Sequence, residues 1–89
     1  MIEVDFGSGF RKALAKKIKR NPSIEEKFFE KLEIFLNDPY HPSLKTHKLS
    51  GKLSKAWSFS ITSDCRVVFY FASQTKVVFF DIGTHDQVY

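Results

Sequence analysis

Four side chains in the second half of the chain have the types that phosphate chemistry needs: His47, Asp64, Arg66 and His85. An imidazole, with an ordinary pKa of about 6.5, can take or give a proton near neutrality. The planar fork of an arginine can grip a phosphate and stabilise the added charge of a phosphorane-like transition state. His85 follows Gly83-Thr84, with Asp86 beside it and Tyr89 at the last position. A phosphate or Asp86 next to that ring would raise its pKa, and Tyr89 could stack on a base or pin the chain to the core. Plainer roles stand beside these. Arg66 could simply pair with Asp64 or Asp81, His85 could be a surface residue, and His41, next to Pro42, reads as structural. No histidine has ligand spacing with another or with Cys65, and there is no glycine-rich phosphate loop, nucleophile elbow or metal-binding helix motif. Neither a metal nor a cofactor is expected.

The charge around these residues is uneven. Between Tyr40 and Lys76 the basic residues are Lys45, Lys48, Lys52, Lys55, Arg66 and Lys76, against Asp64 alone. Lysines beside aromatic strands are what phosphate attraction and base stacking require. Lys48, Lys52, Lys55, Ser58, Ser60 and Tyr89 are the candidate contacts to such a partner, with RNA, DNA and anionic membranes all open. The whole chain carries a formal charge of +4, which favours polyanionic partners over acidic surfaces.

The elements that must position these groups follow from periodicity. MIEVDF alternates apolar and acidic residues, as a half-exposed strand does, and Gly7, Ser8 and Gly9 interrupt it. Phe10, Leu14 and Ile18 then recur at helical spacing among lysines and arginines, a basic amphipathic helix that ends near Asn21-Pro22-Ser23. Ile24, Phe28, Leu32 and Phe35 line a second helix, acidic outside, begun either by a Ser23/Glu26 capping box or by Asn21 before Pro22. Rim ion pairs could brace the two helices. Residues 37–55 read as loop, with no long element. Trp57, Phe59 and Ile61 alternate with serines, and CRVVFYF and KVVFFDI complete three strands. The expected fold is α+β with order β-α-α-β-β-β, a mainly antiparallel sheet packed on the helices by one face and open on the other. By parity Ser58 and Ser60 share a face, as do Arg66, Val68 and Tyr70, but parity leaves open which set of strand β residues is outward.

Eighty-nine residues make one domain, 1–89, and ten phenylalanines suit an aromatic core. The single cysteine, Cys65, cannot form an internal disulfide and fits a reducing compartment as a small buried hydrophobe. No apolar run reaches the roughly 18 to 20 residues of a membrane span, and the N-terminus lacks the pattern of a signal peptide. A cytoplasmic protein without membrane contact is expected.

The Leu-x-Gly-x-Leu-x-x-x-Trp-Ser segment at 49 to 58, Asp-x-Arg-Val-Val-Phe at 64 to 69, and Gly-Thr-His at 83 to 85 before a terminal aromatic resemble the RelE/YoeB/YafQ superfamily of bacterial toxins. These are ribosome-dependent mRNA interferases of type II toxin-antitoxin modules. The resemblance covers most of the chain and implies a RelE-like sandwich. Within it, His47 resembles the loop histidine of YafQ-like members, Asp64 their acidic residue at the strand turn, His85 their near-terminal histidine and Tyr89 their terminal aromatic. Arg66 matches the sheet arginine of RelE and YoeB toxins. Ser60 stands where YafQ-like toxins have another histidine, Ser58 and Ser60 where RelE has two strand lysines, and the YoeB-type glutamate has no match. The implied activity is metal-free RNA scission, the ribose 2′-oxygen attacking its phosphate to leave a 2′,3′-cyclic phosphate and a 5′-hydroxyl. His85 would be the general acid, and His47 or Asp64 the base or its orienter. The implied partners are mRNA in the ribosomal A site, the 70S ribosome and a cognate antitoxin. Two alternatives remain: a ParE-like inhibitor of DNA gyrase on the same scaffold, and a basic nucleic-acid-binding module whose histidines are incidental.

Overall fold

The computed structural model describes residues 1–51 and 55–84. Strand β1 (Glu3–Phe6) leads into helix α1 (Ser8–Arg20) and helix α2 (Ser23–Asn37), followed by a one-turn 3-10 helix at Pro42–Leu44. Four strands follow among the described residues: β2 (His47–Lys48), β3 (Trp57–Ser60), β4 (Cys65–Phe71) and β5 (Lys76–Thr84). They form one five-stranded sheet in the order β1-β5-β4-β3-β2. β1 runs parallel to β5, and the other neighbours are antiparallel. The α+β class and the element order agree with the sequence. Among the described residues, the loop expected over 37–55 contains the 3-10 turn at Pro42–Leu44 and β2, short elements that carry no periodicity of their own.

Both helices lie on one face of the sheet, and the aromatic residues explain why. Phe10 on α1, Phe28 and Phe35 on α2, Phe59 on β3, Phe69 on β4 and Phe79 on β5 are all fully buried. Phe79 is the hub, its ring centroid 5.4 Å from those of Phe10 and Phe35 and 5.5 Å from that of Phe59. Tilted and edge-on contacts at such spacings add to the burial of large apolar area. No ion pair joins the two helices among the described residues; Lys76 pairs with Asp5 instead, at 3.1 Å, across β5 and β1.

The helix starts differ from the sequence expectation. α2 is preceded by Pro22 in helical conformation with no side-chain cap, and the Ser23 hydroxyl donates to Asn21 Oδ1 at 2.7 Å instead of closing a capping box. At the start of α1, Gly7 donates its N–H to the Phe79 carbonyl at 3.0 Å. A Cβ at Gly7 would stand 3.1 Å from that same oxygen, so the close approach of backbone to backbone favours glycine here. No helix among the described residues is long and apolar enough to cross a membrane.

Candidate active site

The face of the sheet turned away from the helices carries several of the candidate residues. His47 on β2 lies opposite Ser58 on β3, which lies opposite Val68 on β4; Ser60 lies opposite Arg66, which lies opposite Gly83 on β5. Residues paired across antiparallel strands project to the same side, so His47, Ser58, Ser60 and Arg66 share one face. Gly83, itself buried, adds no side chain beside the guanidinium.

A sharp corner delivers His47 to this face. The His41 ring caps the 3-10 turn, its Nδ1 accepting the Ser43 N–H at 3.1 Å, and Pro42 fills the first helical position. The structural role expected of His41 is the one it has. The turn ends at Lys45, whose φ of 52° is left-handed, an uncommon conformation for a side-chain-bearing residue. The Lys45 carbonyl lies 3.0 Å from His47 Nδ1. A carbonyl only accepts, so Nδ1 carries the hydrogen, and in the neutral ring Nε2 holds the lone pair a base needs. The two imidazoles of the corner are thus set in opposite tautomers.

Arg66 is positioned as firmly. Its Nη1 donates to Ser60 Oγ at 2.8 Å, and the side chain is half-buried. The register therefore answers what parity left open: Arg66 lies on the face opposite the helices, while Val67 and Phe69 enter the main core. That outer face is not bare. Leu49, Ala56 and Val68 form a second buried cluster against it, with Phe80 packed alongside. A register shift between Val68 and Phe69 places Phe79 opposite Phe69 but Asp81 opposite Val68, leaving Phe80 as an extra residue. The bulge changes parity, so that Val77, Phe79 and Ile82 all reach the main core although their spacing is uneven.

This second cluster alters the expected roles of the serines. Ser58 is 0% exposed and Ser60 8%, so neither presents a surface to a base, and Ser60 serves to hold Arg66. Lys48 pairs with Trp57, whose ring packs on the helix-side core, and so projects away from His47; Lys55 is exposed in the turn before β3. Asp64 is also exposed, and it lines a cleft of about 350 Å³ with Lys17, Arg20, Lys27, Thr62 and Cys65. The structure thus brings His47, Ser60 and Arg66 onto one face and sets Asp64 toward the helices. Lys52, His85 and Tyr89 lie outside the described residues. Burial pushes the Cys65 thiol pKa up, with Lys17 opposing and Asp64 adding to the shift. Among the described residues no three His, Cys, Asp or Glu side chains cluster as metal ligands.

No protein-family model and no curated protein matches the chain. Solved structures do. A metal-bound toxin from Helicobacter pylori is 19% identical with a TM-score of 0.80, covering 100% of both chains. YafQ in the E. coli DinJ-YafQ toxin-antitoxin complex is 14% identical with a TM-score of 0.77, over 99% of this chain and 97% of that one. A YoeB/ParE toxin from Agrobacterium tumefaciens is 16% identical with a TM-score of 0.77, over 94% of this chain and 99% of that one. At such identities the likeness is one of fold: the chain folds as the toxins of the RelE/YoeB/YafQ superfamily do, as the sequence motifs imply.

Proposed function

We propose that the protein is the toxin of a type II toxin-antitoxin module and an endoribonuclease that cuts mRNA in the ribosomal A site. The observation that carries this reading is the presence, on one face of a toxin-like fold, of a histidine with its tautomer fixed and an arginine held by Ser60. In this mechanism His47 Nε2 takes the proton of the ribose 2′-hydroxyl while the 2′-oxygen attacks phosphorus. The P–O5′ bond breaks, and His85 gives the leaving 5′-oxygen its proton. The products are a 2′,3′-cyclic phosphate and a 5′-hydroxyl, with no metal step. Arg66 stabilises the charge that builds on the phosphoryl oxygens. His47 serves as the base in this mechanism because its ring shares the sheet face of Arg66, whereas Asp64 lies in the turn before β4.

Primer extension on a defined mRNA, with and without programmed ribosomes, tests the proposal. Cuts that require ribosomes and fade in His85→Ala support it, because a positioned acid or base contributes on the order of 10² to 10⁴ in rate. Intact mRNA in the presence of folded, toxic protein overturns it. The likeness to a YoeB/ParE toxin makes gyrase inhibition the second reading, which a plasmid supercoiling assay would reveal. An antitoxin partner is supported by the DinJ-YafQ complex. In our reading, an acidic or amphipathic antitoxin segment covers the basic face, and its addition abolishes cleavage.

A further inference from the structure

At the open end of the sheet, Arg66 forms one wall of a cavity of about 280 Å³ whose other walls include Lys31, Ser43, Lys45, Ser60 and Thr62. Three cations and several hydroxyls converge there, and among the described residues no carboxylate lines the space. Like charges held around one cavity repel each other unless an anion occupies it.

Each cation is placed by a different element. Lys31 extends from α2, where acidic residues predominate, and its Nζ donates to the Ser43 carbonyl at 3.4 Å. Lys45 sits at the left-handed end of the 3-10 turn, a conformation that costs a non-glycine residue on the order of 1 kcal/mol and that glycine would adopt freely. Arg66 is fixed by Ser60. Among the described residues neither Lys31 nor Lys45 has a carboxylate partner. A lysine kept at a position better suited to glycine, facing two other cations, points to an anionic ligand. The cavity is near the lower end of ligand-pocket volumes, about 300 Å³, so it has room for a phosphodiester and adjoining sugar atoms but not for a whole nucleotide.

We infer that Lys31 and Lys45, with Arg66 as the inner wall, form a pocket for one backbone phosphate of the bound RNA. The identity of the polyanion rests on the proposed function; the pocket itself rests on its own geometry. Because the Lys45 carbonyl also fixes His47, occupancy of the pocket is linked through one residue to the imidazole.

The test combines an amide-resolved NMR titration with RNA binding, using the wild type, Lys31→Ala and Lys45→Gly. Lys45→Gly removes the charge while relieving the backbone, so it should fold at least as well as the wild type. Inorganic phosphate should shift the amides of Ser43, Ser60 and Thr62 in the wild type and move them far less in either variant. For a short single-stranded RNA, each variant should bind roughly three- to tenfold more weakly. Combining the two substitutions should lower the slope of log K against log salt by about 0.7, the loss of one phosphate contact. Unmoved amides in the wild type, or variants that bind phosphate and RNA as the wild type does, overturn the inference. Variants with normal RNA binding beside an intact ribosome-dependent cleavage would leave the proposed function standing and remove only the pocket. A phosphate-responsive pocket in a protein that never cuts mRNA would do the reverse.

Discussion

An imidazole with one nitrogen committed to a backbone carbonyl has its tautomer chosen before substrate arrives, which is the form of pre-organisation a general base needs. At this scale we expect His47→Ala to lower ribosome-dependent cleavage by about 10² to 10⁴ while the far-ultraviolet circular dichroism stays unchanged, His47 being exposed. A wild-type cleavage rate would remove His47 from the mechanism. Cys65 gives a prediction of a different kind. Its thiol pKa is raised above 9.0 by burial, so native protein at pH 8 should react with iodoacetamide far more slowly than urea-unfolded protein. The sign for stability follows: the unfolded thiol ionises first, so this group's contribution is whole below its unfolded value and declines as pH rises through the folded one. What the sequence conveyed about such residues was their type and parity. It could place Arg66 with Val68 and Tyr70, yet it could not show that Ser58 and Ser60 are covered. Their burial accompanies a cluster of Leu49, Ala56, Val68 and Phe80 assembled from the β2–β3 segment, two strands and a bulge.

Among the elements, the strands and helices with a clear period were legible, and those without one were not. β2 is two residues long, too short for any alternation, and exists because the 3-10 corner and the Leu49 N–H to Ala56 carbonyl bond of 2.8 Å bring it to β3. Lys31 gave no signal of its place beside Arg66 because its helix face reads as ordinary solvated charge. The pairing of β1 with β5 likewise depends on sheet order, which local pattern does not contain. It is secured in part by Lys76 and Asp5, a link that raises the lysine pKa through the side-chain hydrogen bond first and the charges of Asp5 and Glu3 after it. A raised folded value means that stabilisation by this pair is present below pH 10.5 and lost as pH rises through the folded value. Urea midpoints of Lys76→Met and wild type should therefore differ slightly at neutral pH and converge in strong alkali. The difference should also shrink in high salt, since both partners are exposed.

For the molecule as a whole, stability resides in the phenylalanine cluster between helices and sheet. Phe28→Ala should cost about 3 to 5 kcal/mol. Against a total of about 5 to 15 kcal/mol for a domain, that is enough to leave much of the protein unfolded at elevated temperature, readable as a large drop in the chemical-denaturation midpoint. Gly7→Ala should destabilise by a smaller amount, because the added carbon meets the Phe79 carbonyl at 3.1 Å and the neighbouring strand must yield. The aromatic composition announced a core of this kind, and the motifs around Trp57, Arg66 and Gly83 announced its likeness to toxins. The convergence of Lys31 and Lys45 on Arg66 emerged only when α2, the 3-10 corner and β4 were folded together.

The parallel pairing of β1 with β5 joins residues 3–6 to residues 76–79, nearly the full length of the chain apart. During synthesis the first strand emerges long before its partner, and until then the sheet also lacks Phe79, the hub of the aromatic core. Cooperative folding must wait for the last strand to clear the exit tunnel. A ribosome-bound nascent chain stalled before residue 76 should therefore remain sensitive to protease, whereas the released chain resists it. On the proposed function, this order of events keeps the polypeptide harmless to the ribosome that is making it.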